Sequence, residues 1–170
     1  MQENSDKNKT QNNGGLISEH DHGELGQIIL LILFLVVWSA DSYIFYFSTT
    51  YQVMLPVYIR ILIAFVILII SAYLVSTGIK YIFSGGKKSS GLVKTGIYSK
   101  IRHPIYLGSI LFYLGFIILT FSILSIATWF VIVIFYNYIA LYEEKILQKR
   151  YGNEYLQYKK QVPRWIPKIV

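Results

Sequence analysis

Apolar side chains gather along this chain in three long stretches, Gln27 to Phe47, Val57 to Ile79 and His103 to Tyr142, separated by short polar connections. Each of the first two is long enough, as a helix rising about 1.5 Å per residue, to cross a hydrocarbon core about 30 Å thick. The third runs for forty residues without a formal charge if His103 is neutral. A straight helix of that length would reach about 60 Å, so the stretch must fold back as a hairpin. Its turn is expected between Thr120 and Ser125, where Ser and Thr interrupt an Ile/Leu/Phe run, although no Gly or Pro marks it. Four crossings result, at about 27–47, 57–80, 105–121 and 124–142, and the fold class is an all-α integral membrane protein, a bundle of about four transmembrane helices.

Before Gln27 the pattern is absent. Residues 1–26 are rich in Asn, Gln, Gly, Asp, Glu and Lys, with too little apolar content to offset the entropy of ordering, and are expected to be a disordered polar tail ahead of a membrane domain at 27–170. The tail lacks the basic start and early apolar core of a secretory signal peptide. His20, Asp21 and His22 stand close together in it, but without further ligands nearby they read as a solvated linker rather than a metal site.

After Tyr142 the pattern returns at helical spacing: Ile146, Leu147, Tyr151, Tyr155 and Leu156 alternate with basic residues and are interrupted by Gly152. Residues 143–170 are therefore expected to form an interfacial segment, a helix lying on the membrane. The run Val162, Pro163, Arg164, Trp165, Ile166, Pro167 cannot be regular helix, and Trp165 with Arg164 and Lys168 reads as an interfacial anchor.

Composition agrees with a membrane protein, at 54% hydrophobic residues, and the absence of cysteine excludes disulfides, thiolate nucleophiles and cysteine metal sites. Charge adds orientation. The link between crossings two and three carries Lys80, Lys87, Lys88, Lys94, Lys100 and Arg102, seven more basic residues lie from Lys145 to Lys168, and the connection Ser48–Pro56 has none. The positive-inside rule puts the central link and both termini in the cytoplasm. These cations flank membrane spans, so an anionic leaflet, not nucleic acid, is the expected partner. Asp41 and Arg60 fall within the outer portions of crossings one and two and either pair there or reach the interface separately.

Candidate chemistry gathers at the two open ends of the hairpin. Pro104 suits the first turn of crossing three and biases His103 away from helical geometry, bending the chain at the membrane surface. Such a bend leaves a helix N-terminus for a carboxylate or phosphate, with Arg102 as an added cation. Gly96 permits the preceding turn, and Tyr98 and Tyr106 offer ring faces and hydroxyls to a planar ligand. Glu143 and Glu144 sit where crossing four meets the same surface, at a helix end whose dipole disfavours them, so they either balance a bound cation or pair with Lys145 or Arg102.

These residues carry a resemblance. GLVKTGIYSKIRHPIYLG at 91–108, YEEKIL at 142–147 and RYGNEYLQYKKQVPRWIP at 150–167, in that order around two crossings, resemble the isoprenylcysteine carboxyl methyltransferase family and its phospholipid methyltransferase relatives. The resemblance implies methyl transfer from S-adenosylmethionine (S-adenosyl-L-methionine) to a lipophilic or amphiphilic acceptor in the bilayer, either the carboxylate of a prenylcysteine-like substrate or the amine of a lipid. It implies a cofactor site on the cytoplasmic face made by Ser90, Gly91, Leu92, Val93, Tyr98, His103, Pro104, Ile105, Tyr106 and Glu143. Glu143, Arg102 and Asn137 are the candidates for the reacting centre, Asn137 being the strongly polar side chain late in crossing four, with helix packing as its alternative role. No metal is expected. The family's substrate arginine one turn before the motif glutamate corresponds to Ile139, its glutamine ahead of 90–93 to Phe83, and its Asn-Pro at the hairpin turn is missing. Two other readings stand beside this one: an NADPH-binding relative of the sterol reductases, which share RHPxYxG and a similar ending, and a non-catalytic membrane protein that kept the fold. Oligomeric state is left open, and the compact size suggests the cell membrane of a prokaryote.

Overall fold

The computed structural model describes residues 25–49, 55–85 and 91–167. Ser90, the His20–His22 group, Lys87, Lys88 and Lys168 lie outside the described residues. The chain divides into two units, Met1–Val36 and Val37–Val170. In the first, the described residues are helical from Leu25 and expose Leu25, Ile28, Ile29, Ile32 and Leu33.

Three helices are long and apolar enough to cross a membrane: Leu25–Phe45, Val57–Phe83 and Ile123–Tyr151, joined by the shorter apolar helix Pro104–Thr120. We name them α1 (Leu25–Phe45), α2 (Val57–Gly85), α3 (Pro104–Thr120) and α4 (Ile123–Tyr151), with α5 at Asn153–Gln161. No strand occurs among the described residues. Large apolar side chains such as Ile61, Leu62, Phe65, Ile69 and Tyr73 on α2 are exposed, as are Phe130, Val131 and Ile134 on α4. In water such surface would be a liability; in a bilayer it is the lipid-facing side. The chain is an integral membrane helical bundle.

Small residues set how closely α2 and α3 approach. A Cβ on Gly108 would stand 2.7 Å from Val75 Cγ2 and 3.0 Å from the Ser71 carbonyl, and one on Gly115 would stand 2.8 Å from Leu68 Cδ2. The backbones therefore meet, and Ser71 Oγ donates to the Gly108 carbonyl at 2.7 Å. This is the membrane mode of packing, in which contact and hydrogen bonds replace the hydrophobic drive that lipid cannot supply.

The α3–α4 turn falls at Phe121 and Ser122, inside the expected window. Phe121 adopts a left-handed conformation (φ 49°), and its N–H donates to the Ile117 carbonyl at 2.7 Å. Ser122 caps α4 by accepting from Ser125 N at 3.0 Å, so a polar cap does the work that Gly or Pro was expected to signal. Asp41, 2% exposed, accepts from Ser48 N at 2.9 Å and from the hydroxyls of Ser48 and Ser122 at 2.5 Å each. Arg60 Nη1 donates to the Leu119 carbonyl. The two charges thus do not pair with each other: Asp41 is satisfied by hydroxyls and a main-chain N–H, and Arg60 donates to a carbonyl.

The fourth helix departs from expectation. It continues past residue 142 to Tyr151, because nothing between Tyr142 and Tyr151 breaks a helix, and the break comes at Gly152 with φ 53°. Glu143 and Glu144 are therefore inside α4, two turns from its end, and the helix-dipole argument for them does not apply. Lys149 and Arg150 occupy the last turn instead, the favourable polarity.

Candidate functional site

Four segments meet at the open end of the hairpin. The first is Gly91–Thr95, leading into a short 3-10 turn at Gly96–Ser99. Gly96 has φ 61°, and a Cβ there would lie 2.0 Å from the Tyr81 ring, so only glycine lets the turn press flat on α2. Tyr98 follows in that turn. The second is the bend before α3, where His103 is non-helical (φ −125°, ψ 62°) and Pro104 opens the helix, as the sequence requires. The third is the Glu143–Leu147 part of α4, and the fourth is α5 with the run after it.

Between them lies a cavity of about 180 Å³ lined by Ile82, Gly91, Leu92, Val93, Tyr98, Arg102, His103, Glu143, Leu147, Tyr151, Tyr155 and Tyr158. Gly91, Leu92, Val93, Tyr98, Arg102, His103 and Glu143 were all singled out in the sequence, and the structure brings them to one place. Pro104, Ile105 and Tyr106 are not on the lining; Pro104 is buried in the bend, and Tyr106 stacks on His103 with centroids 5.4 Å apart and planes at 7°. Tyr151, Tyr155 and Tyr158 were missed as site residues. Tyr151 and Tyr155 belong to the stripe expected to lie on the membrane, but Tyr155, together with Tyr158, turns inward and packs with Val162 against Leu92, Leu147 and Tyr151. Burial pushes the Tyr98, Tyr155 and Tyr158 phenols up, so these rings present neutral hydroxyls. That of Tyr158 donates to the Tyr98 carbonyl at 2.7 Å.

The two adjacent glutamates separate completely. Glu143 has its side chain 45% exposed beside His103, with Nδ1 3.5 Å from Oε2. Glu144, about 100° further around the helix, is 1% exposed and holds a cluster of cations. Arg164 grips it with two bonds, Nε to Oε1 at 2.8 Å and Nη2 to Oε2 at 3.1 Å. Arg102 Nη1 lies 2.7 Å from Oε1 and Lys159 Nζ 3.1 Å from Oε2, while His103 Nε2 stands 3.4 Å away. Its hydrogen bonds to Glu144 hold the Arg164 guanidinium above the usual arginine range.

Arg164 also donates from Nη1 to Asn137 Oδ1 at 3.1 Å. Asn137 is thereby placed beside Glu144's partner, away from the cavity lining. The interfacial-anchor reading of Arg164 is corrected: its charge is turned inward, because a buried carboxylate without partners costs far more than an exposed guanidinium gains. The same segment fills the bend, since Arg102 N donates to the Pro163 carbonyl at 3.0 Å, and Trp165 lies 6.0 Å from the His103 ring. Lys94 Nζ pairs with Glu154 Oε1 at 2.7 Å, tying the Gly91–Thr95 segment to α5. Among the described residues no group of His, Asp and Glu could hold a metal ion.

A lipid-exposed helical bundle with a cavity lined by tyrosines and charged side chains at the open end of a helical hairpin defines a class, the small integral membrane protein with a candidate binding site beside its apolar helices. Residues 51–154, more than half of the chain, match the model of the phospholipid methyltransferase family, and the chain belongs to that family. It is also 40% identical over 79 residues, 46% of its length, to a Saccharomyces cerevisiae protein named protein-S-isoprenylcysteine O-methyltransferase. The chain spans 33% of that relative's length. No solved structure matches.

Proposed function

We propose that the protein transfers a methyl group from S-adenosylmethionine to a lipophilic or amphiphilic acceptor, the amine of a lipid or the carboxylate of a prenylcysteine-like molecule. The observation that carries this reading is the convergence of Gly91, Leu92, Val93, Tyr98, His103 and Glu143, from three separate stretches of chain, on one cavity. The residues fit the donor's chemistry. Among the described residues Glu143 meets the His103 ring but no lysine or arginine, which suits it to an amino group, a ribose or a sulfonium charge. Tyr98, Tyr151, Tyr155 and Tyr158 line the space, and aromatic rings attract an onium group. Main-chain groups of the Gly91–Val93 segment suit adenine.

When bound, S-adenosylmethionine supplies an electrophilic methyl on sulfur. The chain's task is to hold that methyl in line with the acceptor while excluding water, and positioning dominates such a displacement. A carboxylate or an unprotonated amine has no proton to lose in the transition state, so no general base is required of the lining. The charge pattern supports the orientation with the cavity, the central link and both termini in the cytoplasm.

Calorimetry on the protein in a neutral detergent tests the reading. The expected result is saturable binding of S-adenosylmethionine, weakened at least tenfold by Glu143→Ala and by His103→Ala with the bundle still folded. Binding of NADPH without S-adenosylmethionine binding would overturn it. Incubating membranes with methyl-labelled donor and identifying the labelled molecule would then name the acceptor.

A further inference from the structure

The Glu144 cluster is out of balance. One carboxylate is surrounded by Arg102, Lys159 and Arg164 at 2.7–3.1 Å, and Arg164 alone already occupies both its oxygens. Arg102 is the surplus partner. Its Nη1 touches Oε1 but lacks hydrogen-bond alignment, and its Nε has no aligned hydrogen-bond partner. Its side chain is 8% exposed, and it lines the cavity. Beside it stands Tyr155, 1% exposed, on the same lining, with a buried hydroxyl that faces Arg102 and also lacks an aligned partner.

Buried donors are left unsatisfied rarely, because each costs about 1–3 kcal/mol. Two of them, one charged, on the wall of one cavity and beside an excess of positive charge, have a common remedy. An anion with two or more acceptor oxygens satisfies both and balances the cluster. Glu143 cannot serve, since it lies on the other side of the His103 ring, next to Nδ1, whereas Glu144 lies next to Nε2.

We propose that Arg102 Nε and the Tyr155 hydroxyl form an anion subsite in this cavity, which takes a carboxylate or phosphate oxygen pair. With Glu143 near the opposite edge, the cavity then receives a zwitterion: an anionic group on Arg102 and Tyr155, a cationic group on Glu143. Two sources share that chemistry, the amino-acid end of the methyl donor and the phosphate of a lipid headgroup. The first rests on the donor proposed above; the second does not.

Tyr155→Phe is the decisive variant, because it deletes a hydroxyl that faces Arg102 without an aligned hydrogen bond in the ligand-free protein. Its unfolding temperature should be unchanged or slightly higher. Calorimetry in neutral detergent should show S-adenosylmethionine binding weakened roughly tenfold, with decarboxylated S-adenosylmethionine unaffected, if the anion is the donor's carboxylate. If it is a headgroup phosphate, short-chain phosphatidic acid should lose the same affinity while the matching diacylglycerol does not. Arg102→Lys, which keeps the charge facing Glu144 and removes Nε, should repeat whichever loss is seen. Unchanged affinities in both arms, or a fall of several degrees in the Tyr155→Phe unfolding temperature, would overturn the subsite. Wild-type protein that binds no S-adenosylmethionine would overturn the donor reading instead, and the phosphatidic acid arm would still decide the subsite.

Discussion

Asp41 and Glu144 are both buried carboxylates, 2% and 1% exposed, one beside the closed end of the α3–α4 hairpin and the other at its open end. Asp41 is answered by neutral groups, among them the hydroxyls of Ser48 and Ser122 and the Ser48 main-chain N–H. Ser122 in turn accepts from Ser125 N and Oγ at 3.0 and 2.8 Å. Donors and acceptors there are matched, and the carboxylate works as a clasp between the segment after α1 and the turn into α4. Glu144 is answered by an excess of cations, and the surplus donors line a cavity. Matched polarity builds structure, whereas unmatched polarity marks the place where a ligand completes the arrangement.

The contrast predicts different consequences for removing each acid. Glu144→Ala strands Arg102 and Arg164 without their counter-charge and should cost about 3–5 kcal/mol, read as a large fall in unfolding temperature in detergent together with loss of ligand binding. Asp41→Asn keeps the shape but opposes donors to donors, and should cost about 1–3 kcal/mol while leaving ligand affinity intact. A change in affinity in Asp41→Asn would break the comparison. Ser122→Ala removes a cap and one of Asp41's donors, for about 1–2 kcal/mol, again with affinity unchanged. Lys94→Ala, which breaks an ion pair whose side chains are 41% and 51% exposed, should shift stability by no more than about 0.5 kcal/mol. Its readout is faster hydrogen exchange in the Gly91–Thr95 segment.

What could be seen in the sequence follows from range. Hydropathy alone placed the helices, because a bilayer leaves one solution for a long apolar stretch, and α2 and α3 begin within a residue of their expected starts. His103 and Pro104 marked the bend through local sterics. The three-segment pattern around 91–108, 142–147 and 150–167 located most of the cavity lining. Contacts between distant residues were not visible in this way. Nothing in the order Glu143, Glu144 says which faces the cavity and which the cations, since one residue of helix rotation decides it. Arg164 and Tyr155 have the composition of interfacial residues, and only the packing of α5 and the Val162–Trp165 run against the bend turns them inward. The pairing of Asp41 with Arg60, one of two alternatives, does not form for the same reason: their partners are hydroxyls and carbonyls that carry no charge signal.

The grip of Arg164 on Glu144 reaches across 20 positions of sequence, and this fixes an order of assembly. A chain made from its N-terminus delivers α4 to the bilayer with Arg102 behind it but with Lys159 and Arg164 still to come. Until those arrive, Glu144 has the charge of Arg102 but lacks the two-bond grip of Arg164, and the open end of the hairpin stays loose. Synthesis of the Val162–Trp165 run is then the event that closes the pocket, so a stop or frameshift just ahead of residue 164 would yield a protein that inserts in the membrane and yet never acquires a finished site.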